Sequence, residues 1–208
     1  MQPQGCILLP GQKTRSIVAE IISRMEGAFF FFFFLYELRQ RVDEELRSTQ
    51  LSISELFHKL SGGNPHTVDV FISYSYRDDP ILPLGLYLLL RDEHCASYLP
   101  LRFLRGDGRD PTLKAIQETR DIISISKTLI LLDGPQTTRS QWIPWEVGYV
   151  AGRTGKVATF TATENKPATR NREFLKLYPT IARERDHLVV ASDHGRKIGI
   201  HDWVSSTT

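Results

Sequence analysis

Residues Thr67-Val68-Asp69-Val70-Phe71-Ile72-Ser73 form a short β-branched and aromatic run, followed by the polar stretch Tyr74 to Pro80. A strand buried on both faces of a parallel sheet has this character. Downstream the pattern alternates. Ile81 to Arg91 predicts a helix, Ser97 to Leu104 a second strand, and Pro111 to Ile122 a second helix, with Pro111 suited to its first turn. Ser126 to Leu132 reads as an apolar strand, Ser140 to Ala151 as a helix and Lys156 to Ala162 as a strand. Glu173 to Arg183 then predicts a helix and His187 to Ala191 a last strand. Five strands alternating with helices predict an α/β fold, a five-stranded parallel sheet flanked on both sides by helices with right-handed crossovers. Ligands of such sheets bind beyond the carboxyl ends of the strands. That singles out Tyr74 to Asp79, Arg105 to Asp110, Asp133 to Gln141 and the segments after Thr161 and Ala191.

Upstream the character differs. Ile17, Val18, Ile21, Ile22 and Met25 recur at the spacing of one helical face, and Arg39 to Arg47 continues as a charged, helix-favouring stretch, so one long helix or a broken pair is expected. Between them, Phe29 to Phe34 is a run of six phenylalanines, which puts aromatic rings all round a helix. Burial against a neighbouring segment, self-association, membrane contact and a homopolymeric coding tract all account for such a run. Ser52 and Glu55 have capping-box spacing and introduce a short helix through Leu60, ending at Gly62-Gly63. Pro65 marks the boundary between a helical extension, residues 1–65, a candidate oligomerisation or partner segment, and an α/β domain, residues 66–208.

The composition fits a globular protein: 208 residues, 26 Lys+Arg against 24 Asp+Glu, a net charge of +2 and 41% apolar residues. Seven basic and seven acidic residues precede position 66, and 19 and 17 follow, so neither part is a basic nucleic-acid arm. Cys6 and Cys95 are far apart and the six histidines lack ligand spacing, which argues against a metal site and for a reducing compartment. Gly27 to Tyr36, an uninterrupted stretch without charge or strong polarity, falls short of the roughly 20 residues of a spanning helix, so no membrane span is expected. Glu26 before the Phe run, with Glu37, Arg39 and Arg41 after it, is unlike a secretory signal, and a cytoplasmic location is expected. The Tyr74 to Asp79 loop holds no glycine and Gly106-Asp107-Gly108 lacks a third at the right spacing, so a dinucleotide-binding Rossmann domain is not indicated. Nucleophile-elbow, Walker and metalloprotease motifs are absent from the sequence.

The segment Ser140-Gln141-Trp142-Ile143-Pro144-Trp145-Glu146-Val147-Gly148-Tyr149 opens a helix just past the third strand and sets Trp142 and Glu146 four residues apart, on one face. With Asp69-Val70-Phe71-Ile72-Ser73-Tyr74-Ser75 about 70 residues earlier, this Ser-x-Trp-x-x-x-Glu pattern resembles the Toll/interleukin-1 receptor (TIR) domain, particularly its bacterial members. The resemblance spans roughly residues 66–205 and leaves residues 1–65 without a counterpart. It implies a flavodoxin-like sheet and one of two functions. Some TIR domains are signalling adaptors that assemble with other TIR domains. Others cleave NAD at the nicotinamide–ribose bond, in antiphage defence or as toxic effectors, with NAD as substrate and no cofactor. In that group the glutamate of the pattern is essential, and Glu146 matches it. The resemblance further implies TIR–TIR self-association.

The chemistry is consistent with a single carboxylate. Nicotinamide in NAD carries a positive ring nitrogen and leaves neutral, so its departure needs no general acid, unlike ordinary glycoside hydrolysis. Positive charge grows on the ribose, and a fixed carboxylate in a partly dehydrated pocket stabilises it, by about 2–4 kcal/mol or about 30- to 1,000-fold in rate. Around Glu146, Trp142 is placed to pack on a base or the nicotinamide, and Tyr74, Ser75 and Arg77 to meet the nucleotide and its phosphates. Arg105 and Asp107 are candidates for the flap that family members reposition on assembly. Plainer readings stand beside these: Trp142 and Trp145 as core aromatics, Arg77 paired with Asp78, Glu146 favouring its helix start. Two features depart from the family pattern, Trp145 directly after Pro144 and the polar, basic segment Thr163 to Arg172, and both bear on substrate choice.

Overall fold

A computed structural model describes residues 35–61, 68–101, 113–162, 173–192 and 195–206. The expected Phe29–Phe34 run, the Pro65 boundary, the Gly106–Gly108 loop and the Thr163–Arg172 segment lie outside these residues.

The chain folds as an α/β protein around one mostly parallel sheet. A first helix, α1, covers residues 35–49, and α2 covers Ile53–Leu60. Then follow β1 (Val70–Ser73), α3 (Ile81–Asp92), β2 (Ser97–Tyr98), α4 (Leu113–Ile125), β3 (Thr128–Asp133), α5 (Trp142–Thr154) and β4 (Val157–Thr161). A 3-10 turn at Glu173–Leu177 leads to β5 (Thr180–Glu184), β6 (His187–Ala191), β7 (Lys197–Gly199) and α6 (Ile200–Ser205). The strand order is β2-β1-β3-β4-β5-β6-β7. β1 to β5 run parallel, while β6 and β7 are added antiparallel at one edge.

Two expectations are corrected here. The sheet has seven strands rather than five, and its fifth parallel strand is Thr180–Glu184, not His187–Ala191. The region expected to be helical from Glu173 to Arg183 instead makes one 3-10 turn and then a strand. Pro179 separates the two, since it cannot donate within a helix and biases Tyr178 away from helical backbone. Arg185, at a positive φ of 53°, turns the chain back so that β6 pairs antiparallel. Ala191 consequently lies beside Thr180 at the start of β5, and the segment after it sits at the opposite edge of the sheet from the carboxyl ends of the parallel strands.

Strand alternation divides the core between two faces. Val70, Ile72, Ile130, Leu132, Ala158 and Phe160 point to one face, and Phe71, Leu129, Leu131 and Val157 to the other. The second face is covered by α4 and α5 through Ile123, Ile143, Val147 and Val150. On the first face lies α3, whose sequence Ile-Leu-Pro-Leu-Gly-Leu-Tyr-Leu-Leu-Leu is apolar nearly all round. Such a helix needs cover on both sides. The sheet supplies one and α1 the other: Leu38 and Val42, fully buried, join the same cluster as Leu84, Leu88 and Phe160. The helices approach closely at Gly85, where a Cβ would come 2.8 Å from Leu38 Cβ and 2.9 Å from its carbonyl oxygen. Charged pairs frame this seam: Arg41 Nε donates to Asp92 at 2.7 Å, Arg91 Nη2 to Glu45 at 2.7 Å, and Arg39 to Asp79 at 2.9 Å. α2 begins with the expected capping box, the Ser52 N–H donating to Glu55 at 2.8 Å and the Glu55 N–H to Ser52 Oγ at 3.3 Å.

Among the described residues no helix is long and apolar enough to cross a membrane.

Candidate active site

The chain leaves β1 toward β2 on one side and returns to β3 on the other, so strand direction of travel reverses at β1. A crevice forms at such a switch point beyond the carboxyl ends of the strands. Here the loop after β1 and the loop after β3 bound it. Asp78 ties the two together: its Oδ1 accepts the Gln136 N–H at 2.9 Å, and its carboxylate packs over Gly134, where a Cβ would fall 2.4 Å from Oδ2.

α5 starts at the edge of this crevice. Ser140 Oγ accepts the N–H groups of Trp142 and Ile143, both at 3.3 Å, satisfying two of the donors left over at a helix start. Its far end is stopped by Gly155 in the left-handed region, φ 67°, whose N–H reaches the Ala151 carbonyl. Ile143, Val147 and Val150 anchor α5 on the sheet. Glu146 lies on this inward face, one turn from Trp142, and that places a carboxylate over the end of β1.

Glu146 is only 4% exposed, and Ser73, the last residue of β1, is 1% exposed. Ser73 Oγ donates to Glu146 Oε2 at 2.6 Å, within the range of charge-assisted O–H bonds. In front of the carboxylate lies a narrow recess of about 10 Å³, lined by Tyr74, Tyr76, Pro100, Ser140, Trp142, Ile143 and Glu146. That is room for about one water molecule, so a larger ligand enters only if the walls part. The Tyr74 hydroxyl donates to the Pro100 carbonyl at 2.7 Å, fixing one wall. Trp142 meets Trp145 edge-on at 6.3 Å between ring centroids, and Trp145 continues to Tyr149 at 5.9 Å.

The structure thus brings together three residues singled out from the sequence, Glu146, Trp142 and Tyr74. Ser75 is buried behind the loop, its Oγ accepting the Arg77 N–H at 3.4 Å and its carbonyl the Asp78 N–H at 3.0 Å. Arg77 is exposed and lies on the Tyr76 ring, its guanidinium carbon 5.4 Å from the centroid and its Nε donating to the Tyr76 hydroxyl at 3.2 Å. Neither Ser75 nor Arg77 is among the residues lining the recess. Arg105 and Asp107 lie outside the described residues. Tyr76 and Ser140 lie in segments singled out from the sequence without being named individually, while Pro100 and Ile143 as walls and Ser73 as the partner of Glu146 were missed. Ser73 and Ser140 had a readable signal, being the last residue of the first strand and a hydroxyl just before a helix. Pro100 had none, since its place depends on tertiary packing.

Among the described residues no three His, Cys, Asp or Glu side chains are grouped to hold a metal ion. The Cys95 thiol is buried, and that burial, with the carboxylates of Asp69 and Glu93 nearby, pushes it up to about 12, so it is held in the unreactive protonated form. No protein-family model matches this chain, and no curated protein matches it in sequence. The chemistry of the crevice is therefore carried by its own geometry: a buried, hydroxyl-held carboxylate with aromatic walls at the switch point of a mostly parallel sheet.

Proposed function

We propose that this protein is a TIR-type NAD glycohydrolase or cyclase, releasing nicotinamide together with ADP-ribose or its cyclised form. One observation carries the reading: Glu146, in the Ser-x-Trp-x-x-x-Glu pattern, is a buried carboxylate lining a recess with Tyr74, Tyr76 and Trp142. The strand order β2-β1-β3-β4-β5 is in keeping with the flavodoxin-like sheet that the residue pattern implies.

In this reading the recess opens to take the nicotinamide riboside end of NAD against its aromatic walls, and the rest of the dinucleotide extends past Tyr76 and Arg77. As the glycosidic bond lengthens, the electron pair goes to the pyridinium ring, which leaves neutral, and positive charge appears on the ribose. The Glu146 carboxylate, fixed in a low-dielectric wall, stabilises that charge without having to reorganise. Water then attacks the ribose carbon to give ADP-ribose, or the adenine ring nitrogen of the same molecule attacks to give the cyclic product. A cytoplasmic location, a part in antiphage defence or as an effector, and assembly with further TIR domains belong to the same proposal.

Nicotinamide release from NAD by the full chain, followed by chromatography and mass spectrometry at high protein concentration, tests it. Glu146→Gln is expected to lower the rate by about 30- to 1,000-fold, the scale of one charge-stabilising group. Equal release by the two proteins would leave the non-catalytic adaptor as the better account.

A further inference from the structure

We propose that Ser73 is a positioning residue for Glu146, its hydroxyl holding one carboxylate oxygen so that the charge is presented to the recess in a single orientation. This rests on the reading of Glu146 as the charge-stabilising group. Three observations support it. The Ser73 Oγ to Glu146 Oε2 distance is 2.6 Å with both side chains almost wholly buried. Glu146 lines the recess and Ser73 does not, so the hydroxyl stands behind the carboxylate rather than beside a ligand. Ser73 itself is held by the sheet, paired in register with Leu131 of β3.

A glutamate side chain has three rotatable bonds, and a donor on a rigid strand removes much of that freedom before substrate arrives. The strand itself has no need of the hydroxyl; the buried carboxylate is what uses it. The rest of β1 is Val70, Phe71 and Ile72, all buried, and an alanine would suit the same environment without the cost of burying a polar group. What the hydroxyl adds is a fixed direction for one charge. Misplacing such a group by even about 1 Å costs on the order of 100-fold.

The test uses the full chain and the variants Ser73→Ala, Glu146→Gln, Glu146→Ala and their combinations. Ser73→Ala is expected to lower kcat for nicotinamide release by roughly 10- to 100-fold with KM changed less than about twofold, the split expected when a transition-state interaction is lost. In the Glu146→Gln background the same change should lower the residual rate no further, because the hydroxyl acts only through the carboxylate. An unchanged kcat for Ser73→Ala, or an equal further loss in the Glu146→Gln background, would overturn the proposal. If the wild type and Glu146→Gln release nicotinamide equally, the NAD reading has failed, and thermal unfolding decides the hold by itself. A larger fall in Tm from Ser73→Ala in the wild type than in the Glu146→Ala background supports it, and equal falls overturn it.

Discussion

Glu37 and Glu45, both on α1, meet burial with opposite consequences. Glu45 accepts two hydrogen bonds from Arg91, at 3.1 and 2.7 Å, and a third from Arg41 at 3.4 Å. The Arg91 bonds hold its carboxyl below the ordinary range, outweighing its partial burial. Glu37 has Arg183 Nε 3.0 Å from its Oε1, but out of line for a hydrogen bond. Burial therefore dominates and raises its carboxyl, Arg183 opposing and Asp186 adding to the rise. The signs follow from proton linkage. The contribution of Glu45 is present above the ordinary carboxylate range and is lost as pH falls through its lowered folded value. That of Glu37 is present below the ordinary range and is lost as pH rises through its raised folded value. Glu45→Gln is thus expected to cost about 1 kcal/mol at pH 7, roughly 2–4 °C in Tm for a chain of this size, and to flatten the acid limb of the Tm–pH curve. Glu37→Gln should instead raise Tm at pH 7 and lose that advantage in acid. Melting curves of the two variants between pH 3 and 8 check both directions; shifts of the same sign would contradict the assigned environments.

At the scale of elements, the crevice depends on two loops held together by one side chain. Gly134 has ordinary backbone angles, so the room above it is what matters, and that room is taken by the Asp78 carboxylate. Asp78 is buried and bound to the Gln136 N–H, so it cannot simply swing aside. Gly134→Ala is expected to cost about 1–3 kcal/mol through overpacking and to raise KM for the substrate, since the loop bearing Tyr74 and Tyr76 is pushed from the start of α5. Replacing Asp78 by Ser in the Gly134→Ala background should recover part of the lost Tm; no recovery would place the strain elsewhere. These elements also mark what the sequence made legible. β1, β3 and β4 were readable because both of their faces are buried, which leaves continuous apolar runs such as Val70 to Ile72 and Leu129 to Leu132. α3 and α5 were readable from their spacing and length. The β5–β6 hairpin was not, for its turn lies at Arg185-Asp186 rather than at the Asn-Gly or Asp-Gly that usually announces such turns. The mix of apolar and charged residues in Thr180–Glu184 fits a partly exposed strand as well as a helix face. In the site, Trp142 and Glu146 could be named from their spacing on a helix at the carboxyl end of the sheet and Tyr74 from its place after β1, while the role of Glu146 came from the family resemblance. The Ser73–Glu146 bond joins positions 73 residues apart, and no local pattern encodes it.

For the whole molecule, α1 is part of the core. Leu38, Val42, Leu56 and Phe57 are buried in one cluster with α3 and the sheet, and the Gly85–Leu38 approach leaves no gap between the helices. A chain beginning at residue 66 would bare the outer face of α3, a contiguous apolar surface of the kind that drives association. Such a chain is expected to aggregate or to bind a hydrophobic dye more strongly than the full chain; a soluble, cooperatively melting product would show that α3 has another cover. The file of rings running from Trp142 through Trp145 to Tyr149 has a practical outcome as well. The chain holds three tryptophans, and Trp142, which lines the recess, is in contact with Trp145. Their ultraviolet emission is a built-in optical gauge of occupancy. A nucleotide stacking on Trp142 would quench or shift it in proportion to binding, so affinity can be read from unlabelled protein, separately from any turnover.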